Sequence, residues 1–308
     1  MAGESMSNWI IMVTNIVSCF GICLILFFIG LILFSKKNKT IEGYFFAVAS
    51  NSIFDLIFSI ITATLRLDVL YKHDYYTFAI TRFNYELDPL IIKFCLIVWI
   101  FTANSCLYAV TIPFYIRYLL ICKKQNVHFS SRMLLYFIVI CLNIGITTLF
   151  YAAFEPSPVD MAEIRMRSYL VGHEEGKYWN IVGAKVFSPY FLIAFFCCGF
   201  LTSISFSLAV FFNYKVYVFL RQDNLHIEQR YVFRGIQNTM TIQLVFHFLM
   251  LSFPLITLVM FSVLGVPYLL PFIALLECGP TVTTISMLIS VPEYRRNMKK
   301  FCKKLTKV

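Results

Sequence analysis

Four residues place charge where the surrounding sequence carries almost none. Asp55 and Glu277 lie inside long apolar stretches, Lys93 lies near one end of another, and Arg117 lies at that stretch's far end. An ionisable side chain at membrane depth is costly, so it faces a polar interior and takes a partner. Asp55 sits midway along the second stretch. Glu277 sits about ten residues into the seventh, roughly 15 Å deep at the α-helical rise. The two carboxylates reach similar depth from opposite membrane faces, and Asn51, Asn104 and Thr281 complete a possible polar cluster. Asp55, Asn104 and Glu277 are its candidate switch residues. Three readings stay open: a carboxylate whose ionisation or ion binding differs between two helix arrangements, an interhelical hydrogen-bond knot of about 0.6 kcal/mol per contact, or a proton path.

Lys93 either meets an anionic or carbonyl-bearing ligand near the membrane surface or snorkels its long stem to the headgroups. The candidate ligand contacts are Lys93, Ile97, Phe101, Phe253 and Tyr268. His247 reads as an interhelical hydrogen-bond residue, since no Cys, His or carboxylate near it has metal-ligand spacing. No metal and no cofactor is expected. The chain has no G-x-x-x-x-G-K-[ST], no G-x-S-x-G and no H-E-x-x-H, and His173-Glu174-Glu175-Gly176 lacks the second His. Nothing in it argues for an enzyme.

The elements that must position these residues are seven apolar stretches, about 9–34, 43–65, 90–116, 133–154, 189–220, 239–264 and 267–291. A span needs roughly 20 mostly apolar residues, because in hydrocarbon each backbone N–H and C=O must be bonded within its own helix. Of the 308 residues, 59% are hydrophobic and 14% charged, against about 25% charged in soluble domains. The expected fold is all-α: one domain over 1–308, a seven-transmembrane helix bundle with a short amphipathic C-terminal helix. The first stretch is read as a retained span, too long for a signal peptide's apolar core. No internal repeat is visible.

The net charge of +10 follows the spans and does not suggest nucleic acid. Lys and Arg crowd the segments after the first, third and fifth spans and the tail, and are sparser in the alternate segments. The positive-inside bias then puts the C-terminus in the cytoplasm and the N-terminus outside. The basic face also attracts anionic lipid. The ten cysteines lie in spans or on the basic side, so no disulfide is expected in the long loops opposite. The sequon Asn38-Lys39-Thr40 falls on the basic side and is expected to be unused.

Span three ends Pro113-Phe114-Tyr115-Ile116-Arg117-Tyr118. An Arg there can hydrogen-bond several groups and pin neighbouring helices, or serve only as a topology anchor. Pro254, Pro271 and Pro280 interrupt the last two spans and predict kinks. In the tail, Tyr294, Met298, Phe301 and Leu305 recur at helical spacing among Lys and Arg, which reads as a basic amphipathic helix on the inner leaflet. Cys302 stands where an acyl chain would add a second anchor.

Three short motifs resemble the nematode serpentine chemoreceptors of the Str type, a class of seven-transmembrane G-protein-coupled receptors. They are Phe114 with Arg117-Tyr118 at the end of span three, Gln237 and Gln243 leading to Pro254, and Glu293-Tyr294-Arg295 after span seven. Ile116 stands where that family's first Tyr is expected, and Pro113 where a His is common. The resemblance implies a plasma-membrane receptor, trafficked to sensory cilia, for a small odorant or pheromone-like molecule. It implies coupling to a heterotrimeric G protein through Arg117, Tyr118, Gln237 and Arg295. The alternatives are a seven-span ligand-gated channel, whose known examples have the opposite orientation, a small secondary transporter using Asp55 or Glu277, and a receptor-like partner subunit without a ligand.

Overall fold

The computed structural model describes residues 2–34, 42–65, 67–72, 75–80, 88–125, 127–154, 180–221, 227–254, 256–257 and 270–290. Eight α-helices carry most of these residues: α1 (Ala2–Phe34), α2 (Glu42–Leu65), α3 (Pro89–Ala109), α4 (Thr111–Cys122), α5 (Phe129–Ala153), α6 (Pro189–Arg221), α7 (Ile227–His247) and α8 (Leu270–Ser290). A π turn, Phe248–Ser252, continues α7. Among the described residues, four helical segments are long and apolar enough to cross a membrane: Phe46–Leu65, Leu90–Cys122, Phe129–Ala153 and Pro189–Arg221. Shorter apolar segments run over Ile16–Ile32 and Leu275–Ile289.

The helices close a ring. α1 packs on α2 and α8, α2 on α3, α3 on α5, α4 and α5 on α6, α6 on α7, and α7 on α8. The ring is inverted relative to a water-soluble bundle. Phe137, Phe196 and Phe200 are 61%, 69% and 67% exposed, while Asn143 is 0% and Arg117 2% exposed. Large apolar side chains facing out and polar ones facing in is the arrangement that hydrocarbon solvent selects.

Local sequence explains the joints. Asp88 accepts a hydrogen bond from the Leu90 amide at 2.8 Å, with Pro89 in the first helical turn, so the Asp-Pro pair starts α3. Span three is two segments, α3 and α4, meeting at Val110, which keeps helical angles (φ −57°, ψ −29°). Pro113 has no N–H to give the Ala109 carbonyl, and the ladder breaks there. Ser205 of α6 braces the turn just before the break: its hydroxyl reaches the Leu107 and Tyr108 carbonyls at 3.3 Å. Thr111 in turn bonds the Ser205 carbonyl at 2.9 Å and its hydroxyl. The same logic governs span six. The Phe253 amide bonds back to the Phe248 carbonyl across the π turn, directly before Pro254, whose missing N–H loosens that part of the helix.

One element departs from the sequence reading. Segments expected as loops form a three-stranded antiparallel sheet of β1 (Leu67–Lys72), β2 (Tyr75–Ile80) and β3 (Asn180–Lys185), in that order. Its register pairs Leu67 with Ile80, Phe78 with Val182 and Tyr76 with Ala184, and all six of these side chains are buried. They form one face, as the strand period of two requires. Phe78 lies 6.1 Å from the Trp99 ring and 5.6 Å from Phe154, and Tyr76 lies 5.9 Å from Phe191. The sheet is therefore an aromatic stopper seated on α3, α5 and α6 at the bundle end opposite Arg117.

Candidate functional site

The polar groups inside the ring fall into separate knots, each tying particular helices. The tightest is at the Arg117 end. Arg117 is buried on α4 and donates from Nη2 to Gln237 Oε1 of α7 at 2.6 Å. Gln237 passes the chain on, its Nε2 donating to Asn213 of α6 at Oδ1 (2.9 Å) and at the carbonyl (3.2 Å). Asn213 Nδ2 then donates to the Thr241 hydroxyl at 3.1 Å, and that hydroxyl donates to the Gln237 carbonyl. Spans three, five and six are thus held together through one guanidinium and two amides. Arg117 and Gln237, drawn from two different motifs in the sequence, are direct partners. Tyr118 beside them is half-buried, its ring 5.4 Å from Phe212 of α6. Arg295 lies outside the described residues.

Midway along the bundle, Asn104 of α3 accepts from the Cys198 thiol of α6 at 3.4 Å, and the Tyr108 hydroxyl donates to the same sulfur at 3.3 Å. Asp55 of α2 faces the Cys106 thiol of α3. Thr281 of α8 turns to α1, where its hydroxyl reaches the Val17 carbonyl at 3.5 Å. Glu277 is half-buried one turn earlier on α8. The members of the expected polar cluster therefore meet different neighbours: of the switch residues, Asn104 bonds to span five and Asp55 faces span three, while Thr281 bonds to span one. Asn51, Asn104, Gln243 and His247 each keep one buried polar atom with no hydrogen-bond partner among the described residues. Among those residues no group of three or more His, Cys, Asp or Glu is placed to hold a metal ion.

Three clamps escaped the sequence reading. Asn143 of α5 donates to the Phe101 carbonyl at 2.7 Å and the Ser105 hydroxyl at 2.8 Å, fixing span four to span three. Tyr136 donates to the Ala47 carbonyl at 3.0 Å, and Trp99 to the Thr62 hydroxyl at 3.0 Å, tying α5 and α3 to α2. A polar residue on an otherwise apolar helix was the available signal, and Asn143 carried it.

The candidate ligand contacts divide. Lys93 is 7% exposed, and its ammonium rests 3.9 Å from the centroid of the Tyr151 ring. Ile97 and Phe101 line a groove between α3 and α5 together with Tyr151. Phe253 is 44% exposed on the outer face of span six, apart from that groove. Tyr268 lies outside the described residues.

An inverted bundle, polar inside and apolar outside, defines a multi-pass membrane protein. The chain belongs to the Str family of serpentine type 7TM GPCR chemoreceptors, whose family model matches residues 10–299. Among curated proteins, none matches it. The family is a receptor class and not an enzyme class. It carries the chemosensory role and, in general terms, a ligand and a G protein as partners.

Proposed function

We propose that this receptor binds a small odorant or pheromone-like molecule within the membrane and activates a heterotrimeric G protein at the Arg117 end. The chain of hydrogen bonds from Arg117 through Gln237 to Asn213 carries the reading. It ties the inner end of span six to spans three and five, which is the closed arrangement of a crevice that a G protein enters. Span six has the means to move: beyond Gln237 a π turn begins about three turns along the same helix and Pro254 follows at about five. A ligand shifts the balance between closed and open only by its difference in affinity for the two. The positive-inside bias of the basic segments supports a cytoplasmic Arg117 end and an outer sheet, and the resemblance to chemoreceptors supports the plasma membrane of a sensory cilium.

The test is a G-protein reporter with surface expression measured in parallel. Hydrogen bonds to a charged group are worth about 1.5–3 kcal/mol, so Gln237→Leu, which removes the acceptor, raises basal signalling about ten-fold or more. Arg117→Ala abolishes signalling while the protein still reaches the surface. Full signalling by Arg117→Ala overturns the role given to that residue.

A further inference from the structure

The groove between α3 and α5 combines two features seldom found together on a lipid-facing surface. It is apolar, with a volume of about 300 Å³, lined by residues that include Ile97, Phe101, Ile144, Thr148 and Tyr151. That is the lower end of the range for small-molecule sites. A buried cation stands next to it, against one of its lining residues. Lys93 sits one helical turn before Ile97 and lays its ammonium on Tyr151, the residue that closes the groove toward the sheet. Lys93 has no carboxylate partner and no hydrogen-bond acceptor among the described residues. An ammonium with three donors gains little more than the ring's quadrupole there, whereas a carboxylate completes its coordination. The Thr148 hydroxyl is already given to the Ile144 carbonyl at 2.8 Å and the Thr147 hydroxyl to Asn143 Oδ1, so the Lys93 ammonium and the Tyr151 hydroxyl are the polar groups left to select a ligand.

We propose that this groove binds a free amphiphile with a carboxylate head and a straight apolar chain, the head on Lys93 and the chain along Ile97, Phe101 and Ile144. From Lys93 to Phe101 is about 12 Å at the helical rise, which fits a medium-length chain. The ligand enters sideways from the bilayer, because the groove opens on lipid while the aromatic stopper covers the bundle's end. The proposal rests on the receptor reading only in calling this ligand a signal; binding itself requires no G protein.

The experiment uses the full chain in phosphatidylcholine nanodiscs with a photoactivatable analogue of decanoate, and labelled peptides are mapped. Label is expected on α3 and α5, displaced by decanoate and about ten-fold less well by decanol, which lacks the charge. A competitor too short to run the ~12 Å from Lys93 to Phe101 is expected to displace less well than its weaker partitioning into the disc accounts for. Lys93→Gln is expected to lose labelling and Lys93→Arg to keep it. Ile144→Trp, on a lipid-exposed position that folding tolerates, fills the groove and blocks labelling with Lys93 intact. Equal displacement by decanol overturns the proposal, as does labelling that survives Ile144→Trp. Full protection by phosphatidylglycerol in the disc also overturns it, since a bilayer lipid is then the occupant. Labelling as expected without any decanoate-driven G-protein response leaves the binding site standing and counts against the signalling reading. Absence of labelling in a receptor that signals to another compound does the reverse.

Discussion

Asn143 shows what a single buried amide does in a lipid-facing helix. Its neighbours Leu142 and Ile144 are 49% and 52% exposed, yet Asn143 itself is wholly enclosed and makes two short bonds to α3. Hydrogen bonds between membrane helices average about 0.6 kcal/mol and reach about 1.7, because the separated helices also find partners. Asn143→Leu removes both bonds but leaves the Ser105 hydroxyl satisfied by the Phe101 carbonyl. The expected loss is about 1–2 kcal/mol, seen as a lower midpoint in thermal unfolding of the detergent-solubilised receptor. An unchanged midpoint means that the clamp holds nothing. At this scale the sequence was partly legible. Arg117 and Gln237 stood out by residue type, but their pairing depends on how each helix is rotated, and hydropathy does not fix rotation. For the same reason Asp55, Asn104 and Thr281 looked like one cluster from their depth alone, and their described partners lie on three different interfaces.

Elements meet closely only where side chains permit. A Cβ built on Gly21 of α1 would collide with the Thr281 hydroxyl of α8. That glycine lets span one lie against span seven, as small residues do at membrane helix interfaces. Gly199, on the lipid side of α6, would give a Cβ nothing to meet within 4 Å. The two glycines therefore respond oppositely to the same change. Gly199→Ala gains helix propensity of about 0.5–1 kcal/mol and raises the unfolding midpoint. Gly21→Ala lowers it despite the same gain, and adding Thr281→Ala recovers part of the loss in a double-mutant cycle. Equal effects of the two glycine substitutions contradict this packing. The helices themselves were legible as apolar runs, though α7 begins at Ile227, well before its apolar part, because polar residues extend a helix beyond the bilayer. The sheet was not read, although Tyr76, Phe78 and Ile80 alternate with a period of two; buried aromatic strands are hard to distinguish by hydropathy from more of a membrane protein's apolar sequence.

On the scale of the molecule, the two ends of the bundle are unlike. One is stoppered by a sheet whose inner face is aromatic, and the other is drawn together around Arg117. The family and the inverted packing make the chain a multi-pass membrane protein, and its proposed direction rests on the charge asymmetry. That assignment decides whether the Arg117 knot can meet a G protein at all. Lys185 is exposed on the sheet and Lys124 is exposed just beyond α4, so each marks one end. The native cysteines lie in the apolar spans or on the basic side of the sequence, where an impermeant reagent outside does not reach, so the background for thiol labelling at the sheet is low. A membrane-impermeant maleimide should label Lys185→Cys on intact cells and Lys124→Cys only after permeabilisation. The opposite pattern would turn the knot outward, where no G protein reaches it. A ligand-gated channel of reversed orientation would then account better for the same helices, with the sheet on the cytoplasmic side and the Lys93 groove in the inner leaflet.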